Sequence, residues 1–187
     1  VWPRGIVVNT QGARFCNEQV YGERLGHEMM EHQGGKAWLI LDKRLLRSAW
    51  RECVTGGWWY FQWLPAMLSM LLAKKAATPE ALAAKIGADR GTLRRDIDAY
   101  NAAAAAPSGD ELQPSDPQGK APDMCQALDA APYYAVDISV TSPTLPMAAI
   151  TLGGLKVSEE SGRVLTANGA EIQGLYAVGR AAVGIPS

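Results

Sequence analysis

Thr151-Leu152-Gly153-Gly154-Leu155-Lys156-Val157, followed by Gly174-Leu175-Tyr176-Ala177-Val178-Gly179-Arg180, decides how this sequence is read. Between the two stretches, Lys156 to Leu165 predicts a strand, a polar turn over Glu159 to Gly162 and a second strand. Asn168-Gly169 is a further turn signal. Leu175 to Val178 is a short apolar run bounded by Gly174 and Gly179, the pattern of a buried parallel strand. The glycine pairs allow backbone to approach a flat ligand closely.

Upstream, Ile6 to Asn9 predicts a strand, Thr10 to Gly12 a turn, and Ala13 to Cys16 a returning strand. Glu23 to His32 has helical spacing, with Leu25, Met29 and Met30 inward. Ala37 to Leu41 reads as a strand ending at Asp42, and Lys43 to Arg51 as a short basic helix. The most apolar stretch, Gly56 to Leu72, is broken by Gln62, Pro65 and Ser69 and falls short of a membrane span. It predicts a buried or pocket-lining element, and a surface-lying amphipathic one is the alternative. Thr78 is placed to cap a helix with Pro79 in its first turn, ending near Gly87. Asp89 caps the next, running to Ala106. Pro107 to Ala121 is rich in Pro, Gly, Ser and Asp and predicts an exposed loop. Tyr133 to Ser139 predicts a strand.

The 187 residues carry a net charge of −1, which gives no general attraction to nucleic acid or membranes. Cys16, Cys53 and Cys125 have neither zinc nor CxxC spacing and read as idle thiols in a reducing, cytoplasmic setting. No metal site is expected.

Four motifs occur in order: Gly5 to Asn9 with Gly12, Arg14, Phe15, Asn17 and Glu18; Pro132 to Val136; Thr151 with Gly153 and Gly154; and Gly174 to Gly179. In this order they resemble the fumarate reductase/succinate dehydrogenase flavoprotein superfamily. The nearest branch is the soluble one that includes 3-ketosteroid dehydrogenases. The resemblance spans essentially the whole chain, including Pro79 to Asn101. It implies an α+β cap domain over residues 1–147, then the returning β edge of an α/β Rossmann-like FAD-binding domain over 148–187, both incomplete in this chain. The cofactor implied is FAD. A full enzyme of this kind would carry an upstream Gly-x-Gly-x-x-Gly unit, which this sequence lacks.

The resemblance also implies a chemistry. Flavin N5 exchanges a hydride with one carbon while a protein group exchanges a proton at its neighbour. In fumarate reductases the proton donor is an arginine, whose position falls at about Gly22, with Arg24 two residues on. The histidines that grip a carboxylate are replaced by Ala149 and Ile150. Ketosteroid dehydrogenases instead use tyrosines. Tyr21 falls near the first position, and Tyr134 or its neighbour Tyr133 fits the second, with Tyr134 preferred. Strand alternation sends one of these two towards the pocket and the other to the core. Gly153, Gly154, Gly179 and Arg180 would contact FAD. Arg180 stands where many members have an acid, and it cannot accept the hydrogen bond that an acid would.

Trp58, Trp59 and Trp63 suit a pocket for an apolar, polycyclic substrate, or the core of the cap. Arg14 and Glu18 read as an ion pair locking the β-ribbon. The partners expected are a small apolar ketone or an unsaturated acid, with the electron acceptor open, no membrane span and no nucleic acid. The competing non-enzyme reading is a helix-turn-helix at 78–100, with Arg90, Arg94 and Arg95 on its second helix. Asp89, Asp96 and Asp98 dilute that charge.

Overall fold

The computed structural model describes residues 4–19, 22–56, 60–105, 116–144 and 154–182. The chain divides into two compact units, Val1–Met147 and Ala148–Ser187.

The first unit is α+β. Its strands β1 (Ile6–Val8), β2 (Trp38–Leu41), β3 (Lys74–Ala76) and β4 (Tyr133–Asp137) form an antiparallel sheet in the order β1-β2-β4-β3. Ile6 pairs with Ile40, Leu41 with Tyr134, and Lys75 with Tyr134. Among the described residues five α-helices accompany it: α1 (Gly22–His32), α2 (Lys43–Thr55), α3 (Tyr60–Leu71), α4 (Pro79–Ile86) and α5 (Arg90–Ala104). Leu25, Met29, Leu45, Leu82, Leu93 and Ile97 bring the helices onto the core around Val7, Ile40 and Ala135.

Local chemistry sets most boundaries. Asp42 accepts from Leu45 N–H at 2.8 Å and caps α2, which runs to Thr55, past the expected end. Thr78 and Asp89 cap α4 and α5 through Ala81 N–H and Thr92 N–H. Gly87 closes α4 at φ +74°, where a side chain would be strained.

Several expectations are corrected. The returning strand after Gly12 shrinks to one bridge, Val8 to Arg14, because on the edge of β1 away from β2 the Glu18 carboxylate takes the Val7 N–H. Met30 points to solvent, since Leu25 and Met29 already fill the inward face of α1. The helix α3 is buried along one face only: Ser69 and Met70 face the core, while Leu64, Leu68 and Leu71, with Leu72 just beyond its end, are exposed. Of the loop expected over Pro107 to Ala121, residues 107–115 lie outside the described residues, and in the remainder Asp116 and Lys120 are buried in an ionic cluster rather than exposed.

In the second unit, β5 (Arg163–Leu165) and β6 (Glu171–Tyr176) form an antiparallel hairpin. The tight turn from Thr166 to Ala170, with Gly169 at φ +86°, fixes that pairing. Leu175 to Val178 is therefore no buried parallel strand: Leu175 and Tyr176 end an exposed antiparallel strand, and Val178 is 80% exposed. The parallel contact lies elsewhere, as a single bridge between Leu155 and Ala182.

Candidate functional site

The edge of β1 away from β2 is closed by side chains. Tyr100 Oη donates to Arg4 O at 3.0 Å, Lys120 Nζ donates to Gly5 O at 2.6 Å, and Val7 N–H donates to Glu18 Oε1 at 2.8 Å. Unpaired strand groups would otherwise be buried without partners. Arg14 grips Glu18 with two bonds, Nε to Oε1 at 2.8 Å and Nη2 to Oε2 at 2.7 Å, and also bonds Asp116. Lys120 Nζ completes the cluster 2.8 Å from Glu18. Both cations lie over the Tyr100 ring, Lys120 at 4.7 Å and Arg14 at 5.1 Å from its centroid. The Arg14–Glu18 pair is thus the structural lock read from the sequence, extended by two partners that the sequence did not reveal.

Burial sets the electrostatics of this cluster. It pushes the Lys120 pKa below the usual lysine range despite the Glu18 carboxylate. It also works to raise Asp116, but the Arg14 hydrogen bond and the Lys120 and Gln118 amides overcome that and hold the carboxyl below its ordinary value. Cys16, beside the cluster, is pushed up to about 12 by burial, so its thiol is inert at neutral pH.

Two recesses flank the motif. One of ≈ 290 Å³ is lined by Phe15, Cys16, Asn17, Arg24, Glu28 and Gln118, and a smaller one of ≈ 160 Å³ opens beside Arg14 and Tyr100. Arg24, noted as lying just beyond the position of an arginine donor, is on the wall of the first.

The tyrosine strand is positioned from below. Asp42 accepts from Ala130 N–H at 3.2 Å, and Lys43 N–H donates to Ala130 O at 2.9 Å. The Asn101 side chain donates to Leu128 O at 3.0 Å and accepts from Leu128 N–H at 2.6 Å. The segment entering β4 is therefore fastened to α2 and α5. Tyr133 and Tyr134 follow on opposite faces of the sheet, both half-buried. Burial pushes the Tyr133 phenol above its ordinary range. The Lys75 ammonium lies 5.9 Å from the Tyr134 ring centroid. Neither recess is lined by either tyrosine.

Tyr21, Trp58, Trp59 and Gly153 lie outside the described residues. Trp63 is half-buried against the core cluster. Gly154 packs so closely on the neighbouring segment that a Cβ would fall 2.7 Å from Ala181 O. Gly179, at φ +59°, has open space where a Cβ would sit, and it begins a short turn, Gly179–Ala181, that carries the Arg180 backbone. Two backbone segments without intervening side chains, one of them open to solvent, fit contact with a flat cofactor ring. Among the described residues no His, Cys, Asp and Glu group fits a metal.

The helix pair α4–α5 gives the nucleic-acid reading little to work with. Arg94 is held by Asp98 at 2.7 Å and Glu80 at 3.2 Å, while Leu93, Ile97 and Tyr100 of the same helix are buried.

The FAD binding domain family matches residues 2–186. The 3-oxo-5-alpha-steroid 4-dehydrogenase of Comamonas testosteroni is 46% identical over 180 residues, covering 96% of this chain and 33% of that protein. The fumarate reductase of Schizosaccharomyces pombe (strain 972 / ATCC 24843) is 28% identical, covering 96% of this chain and 30% of that protein. Among solved structures, the 3-ketosteroid-delta4-(5alpha)-dehydrogenase of Rhodococcus jostii RHA1, in complex with 4-androstene-3,17-dione, matches with a TM-score of 0.65 and 26% identity, over 98% of this chain and 34% of that one. The chain thus spans about a third of the length of these three proteins.

Proposed function

The chain belongs to the FAD binding domain family, and from that membership we propose that it serves within an FAD-dependent oxidoreductase acting on the carbon–carbon bond beside a ketone, of the 3-ketosteroid type. One observation carries the reading: 46% identity across 96% of the chain to a steroid 4-dehydrogenase. The whole activity would be that of a protein built to the length of such relatives.

In this reading residues 1–147 form the cap that meets the substrate, and residues 148–187 are the returning β edge of the Rossmann-like FAD-binding domain. FAD, when bound, supplies the hydride acceptor or donor. Gly153, Gly154 and Gly179 would lie against it by backbone, with Arg180 facing a phosphate or the substrate. Tyr134 hydrogen-bonds the substrate ketone and so acidifies the neighbouring C–H, and Tyr21 exchanges that proton. Tyr133, whose phenol burial pushes above its ordinary range, is the second candidate for the ketone. Trp58, Trp59 and Trp63 give the pocket its apolar character. Substrates are small apolar ketones. A cytoplasmic setting accords with three free thiols.

The second reading, reduction of an unsaturated acid, draws support from the fumarate reductase relative. Against it, Ala149 and Ile150 stand where the resemblance places the histidines that grip a carboxylate.

Turnover assays on the full-length, FAD-loaded protein separate the two. With an artificial acceptor, a saturated 3-ketosteroid should reduce the dye, and with reduced dye fumarate should stay unreduced. Fumarate reduction without steroid oxidation would reverse the ranking.

A further inference from the structure

Two stretches far apart in the sequence run side by side at a constant spacing of 102 residues. Arg14 is paired with Asp116, and the Asn17 side chain donates to Gly119 O at 2.7 Å. Lys120 Nζ lies 2.8 Å from the Glu18 carboxylate, and Ala121 N–H donates to the Gln19 side chain. Residues 14, 17, 18 and 19 thus face 116, 119, 120 and 121, in parallel and in one register. Each link uses a side chain, so this register depends on residue identity, where a strand ladder needs only backbone.

Both stretches are shaped before they meet. Asp116 accepts from Gln118 N–H at 3.1 Å and Lys120 N–H at 2.9 Å. Asn17 accepts from Gln19 N–H at 2.9 Å, and Arg14 N–H donates to Asp96 at 2.7 Å. A slip of one residue would strand Glu18 and Lys120, whose side chains solvent does not reach.

Each stretch leads to one of the two tyrosines. Tyr21 comes two residues after Gln19 in the sequence. Ala121 leads to β4, and the path is fastened on the way. Gln126 N–H donates to Tyr100 Oη at 3.1 Å, Leu128 is held by Asn101, and Ala130 by Asp42. Tyr100 serves both stretches, since its ring also carries Arg14 and Lys120.

Dehydrogenation beside a ketone needs the group that exchanges the proton and the group that polarises the carbonyl at a set separation. A displacement of about 1 Å can cost about 100-fold in rate. We infer that the paired stretches 14–19 and 116–121 set this separation, and that Gln19 is a positioning residue for Tyr21. The inference rests on the tyrosine roles proposed above. Gln19 acts through the chain, by fastening the approach to Tyr21 onto the loop that leads to Tyr134.

The test is a double-variant cycle on the full-length, FAD-loaded protein, read as kcat and KM for a saturated 3-ketosteroid with an artificial acceptor. Gln19 is uncharged and stands outside the buried ionic cluster, so the fold survives its truncation. Gln19→Ala should lower kcat about ten-fold with KM and flavin content unchanged. Gln19→Glu keeps an acceptor for Ala121 N–H and should stay within about two-fold of wild type. Tyr21→Phe should be slow. In that background Gln19→Ala should change kcat by less than about two-fold, because the group it positions is gone.

A wild-type kcat in Gln19→Ala overturns the inference. So does a loss that multiplies with that of Tyr21→Phe, the mark of a general structural role, and so does a Gln19→Glu protein as slow as Gln19→Ala. A wild-type kcat in Tyr21→Phe is a different failure: it removes the tyrosine assignment itself, and the positioning role with it. Should Gln19→Ala lose its flavin, Asn17→Ala, which breaks the link to Gly119, replaces it in the cycle with the same outcomes deciding.

Discussion

The Lys120 ammonium lies 2.8 Å from the Glu18 carboxylate, and solvent reaches neither side chain. This pair joins the loop before β4 to the motif that leads towards Tyr21, and it closes the bare edge of β1 on the way. Lys120→Met should cost about 3 kcal/mol, the usual result of stranding one member of a buried pair. Arg14 remains on Glu18 and keeps the loss from going higher. Urea unfolding followed by tryptophan fluorescence would read it, and a midpoint equal to wild type would mean that Arg14 alone satisfies Glu18.

Asp116 gives the cluster a pH dependence. Its folded pKa lies below the ordinary value, so its ionised form stabilises the fold. That contribution is complete above the unfolded carboxylate pKa of about 4 and disappears as pH falls through the lower folded value. Asp116→Asn should flatten the acid limb of a stability–pH curve while leaving the slope above about pH 5 unchanged. An acid limb identical in the variant and the wild type would place the acid-sensitive group elsewhere.

Asn101 holds both backbone groups of Leu128. Asn101→Ala leaves a buried amide and carbonyl unmatched, at a cost of about 2 kcal/mol. The entry to β4 should loosen first. Hydrogen exchange would show faster exchange over residues 126–134 than over α1. A uniform change across both regions would argue against a local clamp.

Tyr134 and Tyr133 are neighbours on opposite faces of one strand, so exchanging each in turn tests which face meets the substrate. Tyr134→Phe should lower kcat about 100-fold or more with FAD still bound, in the range that a lost proton-handling or polarising group produces. Tyr133→Phe should leave kcat within about three-fold, since its loss removes one hydroxyl from a half-buried site. The reverse pattern would assign the ketone contact to Tyr133.

Gly154 has no room for a side chain, because a Cβ would meet the backbone of Ala181 and Ala182 at 2.7 to 2.8 Å. Gly154→Ala must separate the two segments, and FAD occupancy should drop. The ratio of flavin to protein absorbance in the purified variant reads this. Full occupancy would take Gly154 out of the cofactor contact.

Features set by neighbouring residues were legible in the sequence. Thr78, Pro79, Gly87 and Asp89 mark α4 and α5 because caps and a left-handed glycine act within one turn. What depends on distant partners was not. Lys120 sits in a polar loop after an Asp116-Pro117 turn, and nothing nearby announces that Glu18 and Gly5, more than a hundred residues away, bury it. Only the Asp-Pro-x-Gly turn pattern hinted at order there.

The apolar density of α3 suggested burial, yet periodicity gives a stripe and not what covers it. Leu175 to Val178 has the composition of an inner strand, and the Asn168-Gly169 turn returns it to β5 instead. Ordered motifs carried the family in the sequence, since each needs only its own residues. Tyr21, Trp58, Trp59 and Gly153 lie outside the described residues, and for them chain position is still the whole argument.

Flavin chemistry on a ketone substrate can be read from the visible spectrum of the full-length, FAD-loaded protein as a saturated 3-ketosteroid is added without oxygen. The oxidised flavin band should bleach in proportion to steroid, and far more slowly in Tyr134→Phe. An oxidised flavin band that ignores the steroid in the wild type would contradict it.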